Sequence, residues 1–88
     1  MTLIAKSYRV VEGNREDLFR KQYADFFIID KVPSEGRIIL GYIPDESTAT
    51  ISLLKKGEKA VVIADEDSLI EKVLLSLERE AEIKLEEI

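Results

Sequence analysis

Apolar positions alternate with polar ones, or gather in short runs, along most of the first 64 residues. The segment 2–11 is rich in β-branched and aromatic side chains and predicts a first strand. A run of four bulky residues at 26–29 fits either a helix end or a strand, and the turn sequence VPSEG that follows favours a strand. Further strands are predicted at 37–43, 48–54 and 59–64, the last two joined by a glycine-containing hairpin loop.

Two of these strands differ in how many of their faces are apolar. Residues 37–43 are apolar on both faces, with Ile38, Leu40 and Tyr42 on one and Ile39, Gly41 and Ile43 on the other. That pattern predicts a central strand covered on both sides. Residues 48–54 place Ala49, Ile51 and Leu53 on one face and Thr48, Thr50 and Ser52 on the other. This strand should have one face in water.

Helical spacing appears twice. Asn14 is a predicted N-cap for a short helix over 15–24, with Leu18, Phe19 and Tyr23 at helical spacing. A stronger apolar stripe follows Asp65 and predicts a second helix. We predict Asp65 as the N-cap of this helix, and a capping box from Ser68 to Glu71 is the alternative. The stripe covers one arc of the helix and consists of Leu69, Ile70, Val73, Leu74, Leu77 and Ala81.

The last residues allow two interpretations. Ala81, Leu85 and Ile88 extend the helical arc, whereas residues 82–87 also alternate between apolar and charged side chains as a strand does. We favour the strand, because a continued helix would turn Ile83 away from the core. The prediction is a single domain over residues 1–88 of the α+β class. It is a small, mostly antiparallel sheet of five to six strands with two helices, in the order β-α-β-β-β-β-α-β.

Composition removes several classes of chemistry. The chain has no Cys and no His, which excludes disulfides, thiol nucleophiles, imidazole bases and the usual zinc and haem ligands. Its four glycines are isolated from one another, so a glycine-rich phosphate loop is not expected. We predict no catalytic residue and no cofactor, and no motif points to a particular family. Abundant Glu, Lys and Ile resemble the composition of thermophile proteins.

Charge and hydropathy bear on location and partners. The net charge of −5 argues against nucleic-acid binding, although Arg15, Arg20 and Lys21 with nearby aromatic side chains offer a local alternative. No apolar run exceeds five residues, so no membrane span is expected. Lys6 and Arg9 stand where a signal peptide would need its apolar core, which predicts a cytoplasmic protein.

Two features remain as candidate sites. Asp65, Glu66 and Asp67 lie between a predicted strand and a helix, where carboxylates either bind a divalent metal ion or complement the helix dipole. Leu75 falls outside the apolar arc of its helix and is a predicted oligomer contact. The chain is also too small to cover both faces of its sheet.

We therefore expect a non-catalytic protein-interaction or regulatory domain that forms a homo-oligomer through its sheet edge and helix surface. The alternative is a regulatory domain that binds a small molecule or a divalent metal ion through the loop Asp65–Asp67. An enzyme that uses carboxylates alone is the third possibility.

Overall fold

The computed structural model describes residues 2–13, 18, 20, 22–44, 49–54 and 58–88. In these ranges the chain forms six strands, one α-helix and one 3-10 turn. In chain order they are β1 (Ile4–Glu12), β2 (Phe26–Val32), the 3-10 turn (Pro33–Glu35), β3 (Arg37–Tyr42), β4 (Thr50–Leu54), β5 (Lys59–Ala64), α1 (Asp67–Ala81) and β6 (Lys84–Glu87). The predicted α+β class is confirmed.

All six strands join one antiparallel sheet in the order β2-β3-β4-β5-β1-β6. From β2 to β5 each strand pairs with its neighbour in sequence, which is what short turns between alternating segments favour. β1 closes the sheet from the other end by inserting between β5 and β6. β2 and β6 are therefore the two edges.

One face of the sheet is covered and carries the core. α1 lies across it in contact with β5 and β6. Its apolar stripe packs on the strand residues that point to the same side, because alternate residues of a strand share a face. The buried core consists of Tyr8, Leu18, Phe26, Ile38, Leu40, Tyr42, Ala49, Ile51, Leu53, Ala60, Val62, Ala64, Leu69, Ile70, Val73, Leu77 and Ile83.

The choice between helix and strand at the end of the chain is resolved in favour of the strand. α1 stops at Ala81, and Glu82 adopts the left-handed conformation with φ 56° while its N–H donates to the carbonyl of Glu78. This reversal turns Ile83 into the core, where 1% of it is exposed. Residues Lys84–Glu87 then pair with β1.

The prediction of two helices is wrong: the described residues contain one. The predicted helix over 15–24 falls partly outside those residues, and its described end at 22–24 is not helical. Glu80 gives a physical reason. Its carboxylate Oε1 accepts the backbone N–H groups of Ala24 and Asp25 at 2.7 and 3.2 Å, in the place of carbonyls four residues earlier.

For residues 37–43, the predicted position inside the sheet is confirmed, since β3 pairs with both β2 and β4, but the prediction that both faces are covered is wrong. β3 lies next to the edge strand β2, and only the face with Ile38, Leu40 and Tyr42 is buried in the core. On the other face, Ile43 is 52% exposed. The prediction for β4 is confirmed for its described residues, since Ile51 and Leu53 are buried and Ser52 is half-buried on the opposite face.

Candidate functional site

The acidic loop before α1 directs its carboxylates to different partners. Asp67 forms an ion pair with Lys6 of β1 at 3.2 Å, and Glu66 accepts a hydrogen bond from the Ser68 hydroxyl at 3.2 Å. Asp65 is half-buried, and its Oδ1 has no hydrogen-bond partner among the described residues. Among the residues that the structure describes, no three acidic side chains are grouped closely enough to hold a metal ion. Metal binding by this loop stays a prediction.

The start of α1 differs by one residue from the expected cap. Glu66, rather than Asp65, is the N-cap residue; its side chain makes no capping hydrogen bond, and its carbonyl accepts the N–H groups of Leu69 and Ile70. Ser68 already lies inside the helix, so the alternative capping box is wrong as well. The pKa of Lys6 is raised above its ordinary value, most of all by the hydrogen bond that Lys6 donates to Asp67 and next by the attraction between their charges.

Leu75 lies on the outer surface of α1, as its position outside the apolar arc predicted. Its side chain is 64% exposed. On the opposite side of the helix, Leu69, Val73 and Leu77 are buried. A single exposed leucine is common on protein surfaces, so its role as an oligomer contact stays a prediction.

A larger group of exposed apolar side chains lies on the edge strand β2. Phe27, Ile28 and Ile29 are consecutive and are 52%, 44% and 50% exposed, and Ile43 just beyond β3 is equally open. We call these four residues the β2 patch. Half of the large hydrophobic residues that are exposed in the described parts of the chain belong to it.

The β2 patch reaches both faces of the sheet because successive residues of a strand point to opposite sides. Phe27 pairs with Gly41 and Ile28 with Leu40, but the register then shifts so that Ile29 has no partner residue on β3. The Phe27 ring covers Gly41 on the face opposite α1. Ile28 lies on the same side as the core. β2 therefore exposes apolar side chains on both faces of the sheet.

The beginning of β2 is held firmly by α1. Besides the two hydrogen bonds to Glu80, Asp25 accepts a hydrogen bond from Arg79 at 2.6 Å through its carboxylate. The backbone carbonyl of Asp25 accepts the N–H of Ile43 at 2.8 Å. These contacts join the two residues just before β2 to the helix that covers the core and to the residue just after β3.

The charges near β2 balance one another. The strand contains one acidic and one basic residue, Asp30 and Lys31. Arg37 of β3 lies 3.4 Å from the carboxylate of Asp30 and 3.4 Å from that of Glu35. The other edge strand, β6, has one Lys and two Glu within four residues and so carries a net negative charge.

The local basic and aromatic surface considered for RNA falls largely outside the described residues, which include neither Arg15 nor Lys21. Of the aromatic side chains near it, Phe26 is buried in the core and Tyr23 is half-buried against it. Phe27 alone of this group is exposed, and its ring is occupied in covering Gly41.

Sequence reasoning missed the β2 patch. The sequence predicts a strand over Phe26–Ile29. How exposed that strand is depends on the order of strands in the sheet, which local patterns do not determine. One signal was available: four bulky residues in succession do not alternate, and such a strand is either buried on both faces or exposed on one.

Within the described residues, no helix has the length and apolar character needed to cross a membrane. Comparisons with protein-family models, with curated proteins and with solved structures find no match to this chain.

Proposed function

We propose that this protein is an interaction module that associates with a second copy of itself through the β2 edge. The observation that carries the proposal is the exposure of three consecutive large hydrophobic residues, Phe27–Ile29, on an edge strand. An edge strand leaves one row of backbone N–H and C=O groups without sheet partners. A second strand laid beside it supplies those partners and covers apolar side chains on both faces at once.

The charge distribution favours β2 over β6 as the self-pairing edge. In a two-fold dimer the same strand meets itself, so every charge on it faces a copy of its own strand. β2 carries one charge of each sign and so has no net charge to repel a copy of itself. Two copies of β6 would instead bring an excess of glutamates together.

The size of the β2 patch predicts a weak dimer. Complete burial of a large apolar side chain contributes about 1.5–3 kcal/mol, and roughly half of that is available to a half-exposed residue. Phe27, Ile28 and Ile29 of two copies supply six such side chains, which contribute roughly 5–9 kcal/mol. The loss of translational and rotational freedom costs about 4–15 kcal/mol. Only the low end of that cost leaves a net gain, so we expect a dimer with a dissociation constant no tighter than about 0.1 mM.

Two lysine substitutions separate this edge from the surface of α1. Ile29→Lys places a charge in the β2 patch at a residue without a partner on β3, so it should leave the monomer folded. Leu75→Lys is the matched control, since it places the same charge at a comparably exposed leucine on α1. Sedimentation equilibrium of both variants and the wild type, from about 10 µM to about 1 mM, measures the association constant.

We expect Ile29→Lys to weaken association at least tenfold and Leu75→Lys to leave it unchanged. The reverse result would place the contact on α1, as the isolated exposure of Leu75 first indicated. A wild-type chain that stays monomeric at the highest concentration would contradict self-association altogether.

A further inference from the structure

A cleft of about 330 Å³ opens beside β2, on the side of the sheet that faces the core. It lies between this strand and the segment that precedes it in the chain. The described residues that line it are Leu18, Gln22, Tyr23, Phe26, Phe27, Ile28 and Leu40. The volume falls within the range of small-molecule sites in proteins.

The floor of the cleft is preformed. Phe26 and Leu40 belong to the buried core. The ring of Phe26 packs against that of Tyr42 with centroids 5.6 Å apart and an interplanar angle of 55°. The Tyr42 hydroxyl is itself hydrogen-bonded to Ser76 of α1 at 3.2 Å. A ligand would therefore meet a surface that does not have to be ordered on binding, which lowers the cost of association.

The lining determines the chemical class of the ligand. The described lining residues are three aromatic, three branched aliphatic and one amide, that of Gln22, and the ring of Phe27 itself lies over Gly41 on the opposite face. None of these described side chains carries a charge at neutral pH. A charged ligand would lose water on entering and gain no oppositely charged partner from these described side chains, and that desolvation opposes binding.

We propose that this cleft binds a neutral small molecule with an aromatic or branched-alkyl body and one hydrogen-bonding group, which the Gln22 amide meets. The site goes beyond the proposed self-association, since the described residues that line it all belong to a single chain. It also differs from the acidic loop before α1, which would select a cation.

The test uses 1-naphthol as the neutral probe and 1-naphthalenesulfonate as its charged counterpart. Both are titrated into isotopically labelled protein while amide proton–nitrogen correlation spectra are recorded. We expect saturable shifts with naphthol at the amides of residues 22–28 and at Leu40. The sulfonate should bind at least tenfold more weakly, because its charge finds no partner in the cleft.

Two tryptophan substitutions on β2 distinguish the cleft from the rest of the β2 patch. Ile28→Trp adds bulk to a residue that lines the cleft, whereas Ile29→Trp adds the same bulk to its equally exposed neighbour, which does not. We expect the first to weaken naphthol binding at least tenfold and the second to change it less than twofold. Gln22→Leu, which keeps the lining apolar, should weaken naphthol severalfold by removing the hydrogen-bonding group.

Several results would overturn the site. They are an absence of saturable shifts up to the solubility of naphthol, shifts centred away from the cleft, equal affinity for the sulfonate, or equal losses in Ile28→Trp and Ile29→Trp. The molecular mass is measured by sedimentation on the same samples. Equal losses accompanied by a change in mass would assign naphthol to the self-association edge instead of the cleft.

Discussion

Alanine substitutions at Gly13 and Gly41 form a matched pair. We expect the first to lower the free energy of unfolding strongly and the second to change it little. Gly13 follows the end of β1 with φ +103°, a conformation that side chains disfavour strongly. A methyl group there would stand 2.6 Å from the carbonyl oxygen of Glu82 and 2.8 Å from Cα of Ile83. Both contacts are backbone atoms of the junction between α1 and β6, so the methyl group cannot be accommodated by rotating a side chain.

The magnitude for Gly13→Ala follows from two costs. The backbone strain is about 1–3 kcal/mol. Moving the junction aside also loosens the buried Ile83, which contributes about 1.5–3 kcal/mol when fully buried. We therefore expect a loss of about 3–5 kcal/mol in the free energy of unfolding. A chain of 88 residues has roughly 4–13 kcal/mol in total.

Gly41→Ala should be mild by comparison. The added methyl group would overlap the tip of the Phe27 ring, and that ring belongs to a half-exposed side chain that can swing outward. The lost ring contact is offset by the greater strand preference of Ala over Gly, which is about 0.5–1 kcal/mol. The net change should stay within about 1 kcal/mol.

Urea unfolding followed by far-ultraviolet circular dichroism measures both variants. It is run at low protein concentration so that self-association does not contribute. The two variants should differ clearly in their free energies of unfolding. A difference of less than about 1 kcal/mol would refute the expectation that a clash with backbone atoms costs more than a clash with a movable side chain.

Two further predictions concern buried hydroxyls. Tyr42→Phe leaves the buried Ser76 hydroxyl without its partner and should lower the free energy of unfolding by about 1–2 kcal/mol. Adding Ser76→Ala to that variant should recover most of the loss. Additive effects of the two substitutions in a double-mutant cycle would contradict the coupling. Burial raises the pKa of Tyr8, so the unfolded chain ionises first and the free energy of unfolding should fall as pH rises above about 10. Tyr8→Phe should flatten that decline, and an unchanged pH profile would exclude Tyr8 as its source.

Much of the fold could be predicted because it is encoded locally. The helical stripe from Leu69 to Leu77 and the alternation in β4 need only neighbouring residues to be recognised. The strand at the end of the chain was also accessible, because burial of Ile83 required the helix to stop before it. The helix does stop there, even though no glycine occupies the left-handed position at Glu82.

The features that could not be predicted depend on contacts between distant residues. The end of the first expected helix is not helical, and Glu80, more than fifty residues later, takes the backbone N–H groups of Ala24 and Asp25. The insertion of β1 between β5 and β6 is equally nonlocal, and it is this arrangement that leaves β2 at the edge. The apolar run in β2 thus looks the same in the sequence whether it is buried or exposed.

The open face of the sheet and the exposed edge have a common origin. One helix of fifteen residues covers one side of the six strands, and the described residues form no second layer on the other side. Along most of that open face the polar residues Thr50 and Ser52 alternate across the strands with half-buried apolar ones, which are Ile39, Leu54, Val61 and Ile63. At β2 the chain instead presents Phe27 over Gly41 beside Ile29. The apolar side chains that are most exposed in the sheet, Phe27 and Ile29, lie at the edge strand β2. Their concentration at the edge strand favours a partner that extends the sheet sideways over one that stacks on its face.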